Sequence, residues 1–396
     1  MKGITEGMVS RMIIGFISKE DPFHDKMAWS GTLYNLRKAI EQAGYGVIWI
    51  PYDKRWLSIL YTYLFKILNK ILFRKHRWLG GCHFAPLAKS YGKGVAKNNK
   101  IRECDFLFFP GGAQIAQFIP NHKPVIFLSD ATAHILIDYY HKNIGRKSRA
   151  MALDLEYKAT KGANINIRSS KWAIDSVIND CDGAPDHCHV LEFGPNIDSK
   201  DIIQSQLYDG GELRVLFLGK NWDRKVGDIA VKTVEQLRDK GLEVTLSIVG
   251  PYKEPPSCVG KSYIRFQGCL DKNNSEDYQR IIGLYSQSHI FLLPTKAECS
   301  AVVFSEAAAA GLPVYTYITG GIGNYVVEGV NGHTLPLGSS AEMFAEQIYN
   351  DIKTHQLKSL REGALKLSKE RLSWEVWSKK FKQILDEYVR KKDYNS

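Results

Sequence analysis

Both halves of this chain repeat one pattern: a short apolar run rich in β-formers, a polar or glycine-containing turn, then a helical stretch. The first half carries MIIGFIS, YGVIWIP, DFLFFPGG, PVIFLSD and NINIRSS, with the amphipathic TLYNLRKAIEQAG between the first two, closed by Gly44. The second carries LRVLFLG, EVTLSIVG, YIRFQGCL, IFLLPT and LPVYTYI, with a helix through DIAVKTVEQLRDKG. Strands alternating with helices require parallel sheets, because a parallel neighbour is reached only through a crossover. A chain of 396 residues is also too long for one ordinary core. The expectation is an α/β protein of two domains facing across a cleft: residues 1–197, residues 198–372, and a terminal amphipathic helix at 373–396. Ligands of such sheets bind at the carboxyl ends of the strands.

Ordinary apolar content, mixed charge and the absence of low-complexity runs describe a folded chain. Seven cysteines stand scattered with no CxxC pair, which suits reduced thiols rather than a disulfide framework. The N-terminus shows no long apolar h-region, and no apolar run reaches the roughly 20 residues of a membrane span. A cytoplasmic protein is expected, peripheral on the inner face of the cell membrane if the basic segment described below reaches it. The formal net charge is +11, and residues 1–197 hold 27 Lys and Arg against 17 Asp and Glu. Nearly all the excess therefore lies in the first half, which is expected to meet something anionic.

Glu298 stands just after IFLLPT, and Glu306 is expected to open the helix EAAAAG. A strand–loop–helix turn at a sheet's carboxyl edge offers a phosphate free N–H groups and a helix dipole. Carboxylates there repel phosphate and suit hydroxyls, those of a sugar and a ribose. Taken alone, Glu306 also reads as an ordinary helix-start glutamate. The fuller arrangement is Glu-x7-Glu, an Ala-rich helix, Gly-Leu-Pro-Val and a Gly-Gly-Ile turn.

It resembles the retaining glycosyltransferases of family 4, which have the GT-B fold. The resemblance runs on through the first-strand loop, NINIRSSKWA, FGPNID and the terminal helix. It implies two Rossmann-like domains, with the terminal helix returning to the N-terminal one. It implies a hexosyltransferase that moves sugar from a nucleoside-diphosphate sugar, with retention at the anomeric carbon. The implied acceptor is a glycan or lipid-linked molecule of cell-surface polysaccharide or lipopolysaccharide synthesis. Glu298 matches the glutamate beside the donor sugar, and Glu306 the one that holds the ribose. Ser300, Ala301, Val302 and Val303 match the loop whose amides contact the diphosphate; Cys299-Ser300 stands where the family usually has Phe-Gly.

A diphosphate needs cations, and VLFLGKNWDRKVGDIA supplies Lys220, Arg224 and Lys225 beside a strand end. The resemblance assigns Lys220 and Lys225 to the pyrophosphate, with Arg224 as an alternative bidentate partner. A solvated surface cluster is the plainer reading. Gly31, in AWSGTLYNLRKAI, marks the N-terminus of the first helix, where a missing side chain admits close approach of a donor. Ser30 reads equally well as that helix's N-cap. Asp130 ends PVIFLSD where many family members carry a histidine facing the donor sugar, with His134 one helical turn later. Asp130 would polarise an acceptor hydroxyl or steady an oxocarbenium-like transition state; as an N-cap of ATAHIL it would do neither. Gly268 to Lys272 matches the base-contacting loop.

Other motifs carry less. GKS at 260–262 lacks the first glycine of a phosphate loop, since Pro255 stands there. Asp180-Cys181-Asp182 has none of the context of a DxD metal motif. Cys181, His187, Cys188 and His189 could address zinc, but neighbours on a short strand point opposite ways. Basic side chains suffice for a diphosphate, so no metal or other cofactor is expected.

Residues 54–77 hold seven Lys and Arg and no acid. Read as a helix, Lys66, Lys70, Arg74 and Arg77 share one face, with Leu57, Leu60, Leu64, Leu68, Ile71 and Leu72 opposite. Such a helix either lies in an anionic membrane surface, anchored by Trp56, or packs its apolar face on the domain and turns its basic face to water. The rival functions are a GT-B nucleotide-sugar epimerase and a basic nucleic-acid-binding protein. The second explains the charge but not paired glutamates at a strand end, so nucleic acid is not an expected partner.

Overall fold

The computed structural model describes residues 11–52, 56–71, 77–120 and 123–394. Two six-stranded sheets organise them, every pairing parallel. The first contains β1 (Ile13–Ser18), β2 (Gly46–Pro51), β3 (Phe106–Pro110), β4 (Val125–Ser129), β5 (Ile165–Arg168) and β6 (Cys188–Val190), in the order β2-β1-β3-β4-β5-β6. The second contains β7 (Leu213–Leu218), β8 (Val244–Val249), β9 (Ile264–Gly268), β10 (Ile290–Leu293), β11 (Val314–Tyr317) and β12 (Gly332–Leu335), in the order β12-β11-β10-β7-β8-β9. Central strands β3, β4, β5, β10 and β11 are buried along their whole length, because helices cover both faces; hence their near-continuous apolar runs. β12 is a four-residue edge strand, GHTL, too short and too polar to be legible in the sequence.

In both sheets the strand order reverses beside the first strand of the series, β1 or β7. That is where an open parallel sheet leaves a crevice at its carboxyl edge. The terminal helix, Trp374–Tyr394, crosses back to the first sheet. Its Trp374, Trp377, Phe381 and Leu385 join one core with Phe16, Leu36 and Phe108. Each such side chain removed from water contributes about 1.5–3 kcal/mol. Ser378 Oγ donates to Ala39 O at 2.9 Å, tying the helix to Thr32–Gln42.

Contacts across the cleft set the two sheets against each other. Tyr325 Oη, from the second domain, accepts from Phe193 N and donates to Ser169 O, both at 3.1 Å. Tyr139 Oη, from the first, lies 2.8 Å from Thr319 Oγ1 and accepts from Glu298 N at 2.9 Å.

The basic segment does not pack its apolar face on the domain: Leu60 and Leu64 are exposed along with Lys66 and Lys70. Its helix is Trp56–Ile71, and Arg77 lies beyond it, its backbone paired with Asn143 and Gly145. Arg74, Leu72 and the side chains of Leu57, Leu68 and Ile71 lie outside the described residues. The helix meets the domain through a polar seam: Ser58 Oγ is 2.8 Å from Ser90 Oγ, Asn69 exchanges hydrogen bonds with the Trp78 backbone, and Phe65 packs on Phe84. Ile59, Leu60, Leu64 and Ile67 are exposed, away from that seam.

Candidate active site

The carboxyl ends of the two sheets face each other across a cavity of about 300 Å³. The second domain supplies the turn after β7 (Lys220, Arg224, Lys225), Gly250 after β8, Cys269 to Lys272 after β9, and Glu298 to Glu306 after β10. The first supplies Met27, Trp29, Ser30 and Thr32 after β1, and Asp130 after β4. Glu298, Glu306, Asp130, Lys220, Arg224, Lys225, Lys272, Ser300, Ala301, Val302 and Val303, all singled out in the sequence, are brought together there.

The cations are placed by a short turn. Asn221 accepts from the Arg224 amide at 2.8 Å and caps the four-residue helix Trp222–Lys225. Val226 ends it at φ +51°, a left-handed conformation that a β-branched residue resists. The turn directs Lys225 inward, where it is 6% exposed and ion-paired with Glu298 Oε2. Burial lowers the Lys225 pKa, and Glu298 opposes that shift. Arg224 Nη1 donates to Ala297 O at 2.5 Å and to Tyr140 Oη at 3.2 Å, and stands 3.3 Å from Glu298 Oε2. Lys220 is exposed at the mouth. Arg224 and Lys225 are therefore anchored to the site, while Lys220 stays solvated at its edge.

The glutamate loop is held from behind. Gly321 N donates to Glu298 O at 3.0 Å, and a Cβ on Gly321 would stand 1.9 Å from Cys299 O. The glycine turn of the sequence thus lets two backbones touch.

The helix after the loop is Val302–Ala310, so Glu306 lies in its second turn and the helix-start reading fails. Val302, Val303 and Phe304 read as strand formers, but packing of Phe304 in the core overrides that propensity. No side chain caps this helix, and its first turn faces the cavity through Ala301, Val302 and Val303. Uncapped amides at a helix N-terminus are an anion site. Glu306 is 2% exposed and engages Lys272 Nζ at 2.5 Å and Tyr285 Oη at 2.8 Å.

Asp130 caps no helix; Thr132 holds that position before Ala133–Leu136. Its carboxylate lies 3.4 Å from Ser300 Oγ across the cleft and accepts a hydrogen bond from Trp29. Burial, with Glu298 adding its charge, pushes its pKa up to about 6.

Three chosen residues do not line the cavity. His134 turns away, its Nδ1 3.5 Å from Cys181 Sγ. Gly268 precedes the base-side loop at φ +72°. Gly31 is the N-cap of Thr32–Gln42 at φ +96°, and a Cβ there would meet Lys26 O at 2.9 Å rather than a ligand. Ser30, left-handed itself, makes no capping bond.

Sequence reasoning missed Trp29 and Asn196. Asn196 bonds Ser30 O at 2.9 Å, Thr32 Oγ1 at 3.1 Å and Asn35 Nδ2 at 3.0 Å, while its carbonyl accepts from Lys272 at 3.2 Å. The asparagine in FGPNID was the available signal; its partners are distant in sequence.

A second cavity, about 410 Å³, opens at the carboxyl edge of the first sheet alone. Lys19, Glu20, Tyr52, Thr62, His83, Tyr91 and Gly111 are among its walls. Among the described residues no group of His, Cys, Asp or Glu is placed to hold a metal ion.

The sucrose-phosphate synthase of Thermosynechococcus elongatus superposes with a TM-score of 0.68 at 15% identity, over 96% of this chain and all of that one. A glycosyltransferase from Rickettsia africae follows at 0.64 and 16%, over 96% and 99%. The fold is GT-B. Anabaena HepE in complex with UDP and glucose shares this GT-B architecture at a TM-score of 0.62 and 15% identity, over 95% of this chain and all of that one. Residues 212–353, within the second GT-B domain, match the family model described as Glycosyl transferases group 1. No curated protein matches the chain in sequence.

Proposed function

We propose that this protein is a retaining glycosyltransferase that moves a hexose from a nucleoside-diphosphate sugar to a glycan or lipid-linked acceptor, in the synthesis of cell-surface polysaccharide or lipopolysaccharide. The observation that carries the reading is the meeting, in one inter-domain cavity, of three carboxylates (Asp130, Glu298, Glu306), four cations (Lys220, Arg224, Lys225, Lys272) and an uncapped helix N-terminus. A nucleoside-diphosphate sugar presents the complement: hydroxyls at both ends of a dianionic centre.

In this reading Glu306 takes the ribose hydroxyls, and Lys272, which grips it, faces the nucleoside. The amides from Ala301 to Val303 take the diphosphate together with Lys225, Arg224 and Lys220. Glu298 then sits beside the sugar. Lys225 shifts charge toward the departing diphosphate as the anomeric bond breaks. Asp130, ionised at neutral pH, opposes the positive charge that develops on the sugar ring. The cations make a metal unnecessary. The cavity on the first sheet receives the acceptor. The complex of HepE with UDP and glucose, and the group 1 match over residues 212–353, support the choice of donor.

A panel of nucleoside-diphosphate sugars tests it. One donor is expected to raise the unfolding temperature and to be hydrolysed slowly without acceptor, with the released sugar keeping its anomeric configuration by NMR. Absence of protection by every member of the panel would sink the reading. Release of an epimerised sugar would turn it into the epimerase alternative.

A further inference from the structure

The helix Trp56–Ile71 leaves Trp56 71%, Ile59 47%, Leu60 41%, Tyr63 62%, Leu64 44% and Ile67 51% exposed. These positions repeat at the i, i+3, i+4, i+7, i+8, i+11 spacing that makes one face of an α-helix. Ordinary surfaces expose large apolar side chains singly, and a contiguous stripe marks an interaction face. Lys66 and Lys70, also exposed, flank it. Between Asp53 and Glu103 the sequence holds twelve Lys and Arg and no acid.

We infer that this helix is a membrane seat: it lies in the plane of an anionic bilayer surface with the stripe sunk among the acyl chains. Two observations select that occupant. The charge of the segment that carries the stripe is of one sign, which an anionic headgroup layer neutralises. A second copy of this chain would set two such basic segments against each other, and a symmetric contact of that kind repels. Trp56 and Tyr63 combine an apolar ring with a polar tip, the chemistry of an interfacial anchor. No helix of the described residues is long and apolar enough to cross the membrane, so the helix rests in one leaflet.

Thr62, on the inner side of the same helix, lines the cavity on the first sheet. A bilayer against the outer side would lie about one helix diameter away, ~10 Å. That distance suits an acceptor hydroxyl held at a lipid headgroup. This consequence rests on the sugar-transfer reading; the seat itself does not.

The test is co-sedimentation of the full chain with vesicles of phosphatidylcholine, with and without phosphatidylglycerol. Binding is expected with the anionic vesicles alone, weakening as salt rises. Ile59→Ser, Leu60→Ser and Ile67→Ser together are expected to weaken it at least a hundredfold, and Lys66→Glu with Lys70→Glu about tenfold or more. Because these side chains are exposed, both variants should keep the parent's unfolding temperature and its protection by the donor. Sedimentation of the triple variant equal to the parent's, or none by the parent, overturns the seat. So does equal binding to both vesicle types, or a parent that dimerises through the stripe instead of binding vesicles. Loss of donor protection with vesicle binding intact would count against the transferase reading and leave the seat standing.

Discussion

Lys272 Nζ lies 2.5 Å from Glu306 Oε1 while Tyr285 donates to Oε2 at 2.8 Å, so a carboxylate in the middle of a buried helix has both oxygens engaged before any ligand arrives. Removing it would strand two groups at once. Glu306→Ala is expected to cost roughly 3 kcal/mol or more of folding stability. Glu306→Gln keeps an acceptor and the side-chain volume, and should fold with a smaller loss. Its donor affinity should fall about tenfold or more with little further loss in turnover, since a ribose contact exists in ground and transition states alike. Calorimetric titration with the protecting nucleoside diphosphate reads this, and unchanged affinity in the glutamine variant removes Glu306 from the donor site.

Lys225→Ala leaves Glu298 with Arg224 3.3 Å away, so the loop keeps a counter-charge. Turnover should drop ~10²–10³-fold, more than donor affinity, because the lysine follows charge onto the leaving group. Arg224→Ala should impair both, since it also frees Ala297 and Tyr140. Activity should persist in chelator. Loss in chelator, with recovery on adding a divalent ion, would refute the metal-free reading.

Asp130 titrates near 6, above its ordinary value of 3.8. Its carboxylate form is the one assigned to the reaction, so the rate should fall as pH drops through about 6. Asp130→Asn should lower activity at neutral pH and lose that inflection. Stability moves the other way. A carboxyl whose pKa is raised by folding favours the folded state below the unfolded value, and that contribution is lost as pH rises through about 6. Asp130→Asn should therefore gain on the parent in unfolding temperature at pH 7 but not at pH 4. A pH-independent difference between the two proteins excludes the buried charge as its cause.

Gly321→Ala places a methyl group where Cys299 O now stands. Backbone cannot yield as a flexible side chain can, so the loop bearing Glu298 must move. Turnover should fall at least tenfold, with donor affinity changed less because Glu306 is anchored on the helix. Wild-type kinetics in this variant would show that the close approach does not position Glu298.

Much of this architecture was legible in the chain itself. Parallel strands covered on both faces need apolar residues, and ten of the twelve strands among the described residues, all but β6 and β12, stood out as short apolar runs. β12, an edge strand, had no such requirement. The charged residues of the inter-domain cavity were legible for a related reason. Strand ends at a sheet's carboxyl edge are local features: Asp130 and Lys220 lie within two residues of a strand, and Glu298 and Lys225 within seven.

Tertiary structure decided what depends on contacts between distant residues. Glu306 was expected at a helix start, and core packing of Phe304 moved that start to Val302. His134 and Asp130 are four residues apart, yet His134, inside the short helix Ala133–Leu136, turns to Cys181 while Asp130, before it, enters the cleft. Asn196 became a hub because four partners converge on it, and no periodicity encodes that convergence. The helix Trp56–Ile71 makes the point most directly. Its sequence specifies an amphipathic helix, but periodicity is blind to which face a domain will accept. Ser90, Trp78 and Phe84 offered a seam that Ser58, Asn69 and Phe65 could satisfy, and the apolar face was left outside.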